Sequence, residues 1–315
     1  MNRLMLSIPS NLRLLIPVLC VGILLTSCDQ LNSPNEGQTP TGQTEEEDWL
    51  TGLAELGNQA LDKGGQLAES FAKKVSDIQI NGFSLEDDKK MGKQLYDEVV
   101  NSGQYKVMDR NEYKDLYAYV EGIKMKILNS GQLEHRNAFE WKLTLINDDE
   151  TINAFCAPGG YIFVYTGILK YLEDESQLAG VLAHEIGHAD RRHGSRQLTK
   201  SVGIEMILGF LLDNQNATEI TAGLLNLSYS RRYEREADEC SVKYLCGMDY
   251  NAAGGAGFFR KIVKDNGSSN STDLLSTHPN PEERIANFNE LKAEYKCSGK
   301  QQHKARFLAM QRKLK

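Results

Sequence analysis

The sequence predicts a mostly helical α+β fold, with a small sheet of about three strands beside one long central helix. Three observations predict it. Apolar residues recur at helical spacing between residues 85 and 130. The period shortens to two, with β-formers, between Trp141 and Tyr165. Helical spacing returns from Thr166 to residue 296.

Residues 1–27 stand apart from the fold: Arg3 and Arg13 give a positive start without an acid, and an apolar run extends from Leu14 to Leu25. That run is short beside the roughly 20 residues of a membrane span, and it suits a secretory leader. It ends in Leu25-Thr26-Ser27-Cys28, with no alanine before Ala54. The segment resembles a bacterial lipobox, which makes residues 1–27 a lipoprotein signal peptide and Cys28 the lipidated mature N-terminus. The chain is then expected in the bacterial cell envelope, lipid-anchored and facing the periplasm. Asp29 comes directly after the cysteine, but whether the inner or outer membrane holds it is left open. Residues 28–48, rich in Ser, Pro, Asn, Gly, Gln and Thr and closing on Glu45-Glu46-Glu47-Asp48, read as a flexible tether. Residues 49–80 read as an accessory helical segment, with Leu50, Leu53, Leu56, Leu61 and Leu67 interrupted by glycines.

The packed domain is expected over 81–298, with 299–315 as a basic C-terminal tail. Met91, Leu95 and Val99 mark one face of a helix over 85–101, and Leu116, Tyr117 and Val120 one over 112–130. Trp141, Leu143 and Leu145 alternate as on a half-buried strand. Ala154-Phe155 and, after Pro158-Gly159-Gly160, Tyr161–Tyr165 supply two more strands. Helices are expected at 166–173, 175–193, 202–212, 217–228, 231–246, 251–265 and 281–296. Asp174 or Ser176 can cap the helix over 175–193.

Net charge is −7 and no basic block could track phosphates, so nucleic acid is not an expected partner. Of six cysteines, Cys20 leaves with the leader and Cys28 takes lipid, leaving Cys156, Cys240, Cys246 and Cys297. No C-x-x-C occurs, which argues against a zinc knuckle. An oxidising compartment permits a disulfide, and free buried thiols fit equally well.

His184-Glu185-Ile186-Gly187-His188 carries the chemistry. On a helix, residues four apart share a face, so His184 and His188 can close on one ion. Imidazole nitrogens suit zinc, one ion per chain. Glu185 flanks the ion, where a carboxylate can take a proton from zinc-bound water. Two histidines and a glutamate in the apolar frame Leu178–Ala183 would be costly without a metal.

A catalytic zinc needs a third protein ligand and an open position. His193 competes for that place, but five residues after His188 it points away on a continuous helix. The H-E-x-x-H-x-x-G-x-x-H pattern would need Gly at 191 and His at 194, where Arg191 and Gly194 stand. His193 is expected behind the ligands or at the surface. Glu234 is the better candidate, with Asp238 one turn on to accept the N–H of a ligand histidine.

On these residues the chain resembles the gluzincin peptidases that include the CAAX prenyl protease, the mitochondrial protease Oma and periplasmic factors such as BepA. Asn153–Val164 looks like that family's strand segment, His184–His188 its metal helix, and Glu234–Asp238 its E-x-x-x-D element. Cys156 stands where small residues are common. The resemblance implies a zincin-like catalytic domain, with His184, His188 and Glu234 on the metal, Asp238 behind them and Glu185 catalytic. Thr277-His278-Pro279 resembles a histidine-proline segment near the family's cleft, and implies that His278 gates the metal or donates to the oxyanion.

The expected activity is zinc-dependent endopeptidase action on unfolded or misassembled envelope proteins, bound in extended form, with envelope assembly machinery as a partner. The competing reading is an envelope chaperone or assembly scaffold with latent proteolysis. A non-peptide hydrolase on the same metal is a second competitor.

Overall fold

The computed structural model describes residues 81–201, 217–225, 227–265, 278 and 280–314. The leader, Cys28, the tether, the accessory segment and the apolar helix expected over 202–212 lie outside the described residues. The chain divides at Gly82, and the unit from Phe83 to Lys315 contains all of the described helices and strands.

Helices α1 (Leu85–Asn101) and α2 (Lys114–Leu128) come first. Ser84 caps α1 by accepting from the Asp87 amide, and the Asp87 side chain returns to the Ser84 backbone. Strands β1 (Lys142–Ile146), β2 (Ala154–Ala157) and β3 (Tyr161–Tyr165) form one sheet in the order β1-β3-β2. β1 runs parallel to β3, pairing Lys142 with Tyr161, and β2 runs antiparallel, pairing Phe155 with Phe163. The turn Pro158–Gly160 joins β2 to β3 with Gly159 and Gly160 at φ 74° and 86°, which favours glycine at both. A Cβ on Gly160 would also stand 2.9 Å from the Trp141 amide.

The sheet separates two apolar layers. Leu143, Leu145, Cys156, Ile162 and Val164 face the larger core, and Ile146, Ala157, Tyr161, Phe163 and Tyr165 a smaller one with Leu95 and Val99 of α1. The alternation in β1 predicts a half-buried strand, but Leu143 to Ile146 are all buried, because α1 covers the second face.

After α3 (Thr166–Tyr171) comes the central helix α4 (Glu175–Asp190), capped by Asp174, with all of its residues buried. It is shorter than expected: the chain breaks at Arg191 and Arg192, the latter at φ 59°, and α5 begins at His193 (His193–Ser201). Helices α6 (Ala217–Leu225), α7 (Arg231–Cys246), α8 (Gly254–Lys264) and α9 (Pro281–Glu294) come next. α8 lies close on α4 because Gly180 meets Gly255 there: a Cβ on Gly180 would stand 2.5 Å from the Gly255 amide nitrogen.

The segment read from its charge as a tail contains α10 (Lys304–Gln311), whose Phe307 and Met310 are buried in the core. Arg306 of α10 pairs with Glu175 at the start of α4, and Tyr119 donates to the same carboxylate at 2.5 Å. A disulfide joins Cys246 at the end of α7 to Cys297 just after α9, and Cys156 and Cys240 are free and buried. Among the described residues no helix is long and apolar enough to cross a membrane.

Candidate metal centre

Four side chains from three places in the chain meet in the core. His184 and His188 project from one face of α4, with their Nε2 atoms 2.9 Å apart. Glu234, in the first turn of α7, places Oε2 3.5 Å from His184 Nε2 and Oε1 3.4 Å from His188 Nε2. His278, between α8 and α9, places Nδ1 2.9 Å from Glu234 Oε1 and 3.4 Å from His184 Nε2. One ligand atom from each lies within 4.8 Å of the others, and all four residues are buried.

These separations suit a small ion. Tetrahedral ligands at about 2.0–2.2 Å from zinc stand about 3.4 Å from one another. The charges agree. Glu185, Glu234 and Asp238 bring three buried carboxylates against one buried guanidinium, Arg284, and a divalent cation balances the rest. The lone pairs of imidazole nitrogens so close repel unless a proton or a metal ion stands between them. Without an ion a proton takes that place: burial and Arg284 push the His184 imidazolium down, but Asp238 and Glu234 outweigh them and raise it to about 9. Burial and the neighbouring His184 push His188 well below the ordinary range, so the two rings share one charge. Burial pushes Glu234 up, and His278, Arg284 and the two histidines overcome that and hold it well below the usual carboxylate range.

The outer nitrogens of both α4 rings are held. His184 Nδ1 lies 3.0 Å from Asp238 Oδ1, and His188 Nδ1 lies 3.0 Å from His193 Nδ1. His193 in turn places Nε2 3.2 Å from Glu236 Oε2. On a continuous helix His193 would face elsewhere; the break at Arg192 brings it to His188. Such contacts fix the orientation of imidazoles beside a metal. Glu185, buried, has Oε1 3.6 Å from His278 Nε2, and its pKa is raised, chiefly by burial.

Two residues here carried no sequence expectation. Arg284 of α9 places Nη1 2.7 Å from Glu234 Oε2 and donates through Nε to Asp238 Oδ2 at 3.0 Å. Its only signal was its place four residues before Phe288, on what proves to be the buried side of α9. Tyr229 stacks on His188 with centroids 4.0 Å apart. Thr277 and Pro279, which flank His278, lie outside the described residues.

Among the described residues β2 has a strand partner on one side only. Beside it runs a cleft of ≈ 230 Å³ that reaches His278 and Tyr229. A larger cavity of ≈ 790 Å³, between α2 and the Cys246 end of α7, contains none of the four clustered residues.

The family model "Peptidase family M48" matches residues 115–292. The chain is 31% identical over 153 residues to a mitochondrial metalloendopeptidase OMA1 of Arabidopsis thaliana, covering 48% of this chain and 31% of that protein. It is 31% identical over 163 residues to a putative beta-barrel assembly-enhancing protease of Vibrio cholerae, covering 47% and 34%. Against the beta-barrel assembly-enhancing protease of Escherichia coli it is 27% identical over 246 residues, covering 70% and 48%. The chain thus spans 31% to 48% of the length of these relatives.

Proposed function

The chain belongs to peptidase family M48, and from that premise we propose that it is a zinc-dependent endopeptidase of the bacterial cell envelope, cutting unfolded or misassembled proteins. The observation that carries the proposal is the convergence of His184, His188 and Glu234 on one buried point beside Glu185.

In this reading His184, His188 and Glu234 hold the ion. Zinc, when bound, acts as a Lewis acid that acidifies water and polarises a peptide carbonyl. Glu185, buried beside the cluster, accepts the proton of the attacking water and passes it to the leaving amine. Asp238 orients His184, His193 orients His188, and Arg284 holds the carboxylates of Glu234 and Asp238 in position. His278, next to both Glu185 and Glu234, is the donor for the oxyanion. The one-sided β2 suits an extended substrate that adds to the sheet through backbone hydrogen bonds.

The envelope assignment draws on the lipobox-like Leu25–Cys28, with Cys28 as the lipid anchor, and on the names of the Escherichia and Vibrio relatives, which also motivate an envelope assembly partner. The test is a casein-cleavage assay on the purified chain with metal analysis. One zinc per chain, cleavage lost on chelation, and cleavage by Glu185→Gln slowed by about 10²–10⁴-fold are expected. Cleavage that survives chelation, or a Glu185→Gln protein that relieves an envelope defect as well as the native one, overturns the assignment; the second result favours a scaffold.

A further inference from the structure

The cleft beside β2 is built to choose among side chains. Its lining includes Leu95, Tyr105, Leu225, Leu227, Tyr229 and Phe155 of β2. Phe155 is the one side chain of β2 that is not fully buried, and its ring stacks on Phe163 at 4.6 Å. Among the described residues no Asp, Glu, Lys or Arg lines the cleft. Its lining includes His278 of the metal cluster and Tyr229, whose ring lies on His188, so the cleft borders the cluster. Asn153, at the start of β2, also lines it, and its Oδ1 is buried with no hydrogen-bond partner among the described residues. A buried amide oxygen without a donor is costly, and the backbone N–H of an extended peptide would supply one.

We propose that this cleft is the subsite for a large apolar side chain flanking the bond that is cut, with Asn153 accepting from the substrate backbone beside it. The inference rests on the endopeptidase reading and adds the class of residue selected: Phe, Leu, Ile or Met. A charged side chain would lose its hydration there without gaining a partner. Apolar pockets discriminate by about 10–200-fold per methylene, which sets the scale of the preference.

Two measurements on the whole zinc-loaded chain test this separately from the activity. Cut sites in unfolded casein, mapped by mass spectrometry, are expected to carry a large apolar residue at one fixed position next to the bond, and cuts without such enrichment overturn the subsite. The Glu185→Gln protein, titrated with a fluorescent peptide bearing a central Phe, is expected to bind it at least tenfold more tightly than the same peptide bearing Asp. Equal binding overturns the subsite while leaving the enzyme standing. The expected preference in Glu185→Gln, with no cleavage by the native chain, removes the endopeptidase reading and keeps the cleft. Leu225→Asp is expected to abolish the Phe preference with zinc content unchanged, and Leu225→Ala, a milder change to the same wall, to weaken it. An intact preference in both variants also overturns the assignment.

Discussion

Arg284 Nη1 lies 2.7 Å from Glu234 Oε2, and the same guanidinium grips Asp238. One buried cation from α9 therefore bridges both carboxylates that α7 turns toward the histidines and offsets part of their charge. Arg284→Met is expected to leave those carboxylates one buried cation short, with only the histidines beside them, and to cost about 3–5 kcal/mol, as breaking a buried pair does. Urea unfolding of the metal-free protein reads this directly, and an unchanged midpoint would exclude the role.

Asp238→Asn keeps the shape of the side chain but removes its charge next to His184 Nδ1. Zinc affinity is expected to fall about 10–100-fold, in line with other residues that orient metal-bound imidazoles. Competition with a chromophoric chelator measures it.

Glu185→Gln is expected to lower the cleavage rate by about 10²–10⁴-fold, the range for loss of a general base, with zinc still at one per chain. A single-turnover assay on a quenched peptide, with metal content measured on the same sample, separates this from loss of the ion.

Gly180→Ala tests packing without touching the cluster. The added methyl would stand 2.5 Å from the Gly255 amide nitrogen, so α8 has to move away from α4. The expected cost is about 1–3 kcal/mol, read as a lower melting temperature.

The Glu175 latch predicts a pH dependence. Burial pushes its carboxyl up, but bonds from Arg306, Tyr119 and Tyr250 outweigh burial and hold the pKa below the ordinary value. A depressed folded-state pKa contributes stability that is complete above the unfolded value of about 4.3 and is lost as pH falls through the folded one. Glu175→Gln removes that dependence. Denaturant titrations at about pH 6 and about pH 3 should show native stability falling more steeply than that of the variant.

Local spacing made half of the site legible. His184 and His188 are four apart on an apolar helix, and Glu234 and Asp238 are four apart on another, so a period of 3.6 brings each pair to one face. Arg284 was not legible in this way: in Pro281-Glu282-Glu283-Arg284 it reads as surface charge, and its partners lie 46 and 50 residues away. His193 depended on a helix break that nothing in His188–Gly194 signals. The sheet was found through its β-formers, but the burial of β1 on both sides came from α1, more than 40 residues earlier in the chain. Four cysteines permitted several pairings, and only the three-dimensional fold brings Cys246 to Cys297.

Every residue of α4 is buried. A segment with no solvent-facing side has no route for partial opening, so the backbone amides from His184 to His188 should exchange their hydrogens at the rate of whole-domain unfolding, with or without an ion. The two imidazoles are then positioned by the fold itself, and an ion that binds them does not have to order the helix that carries them.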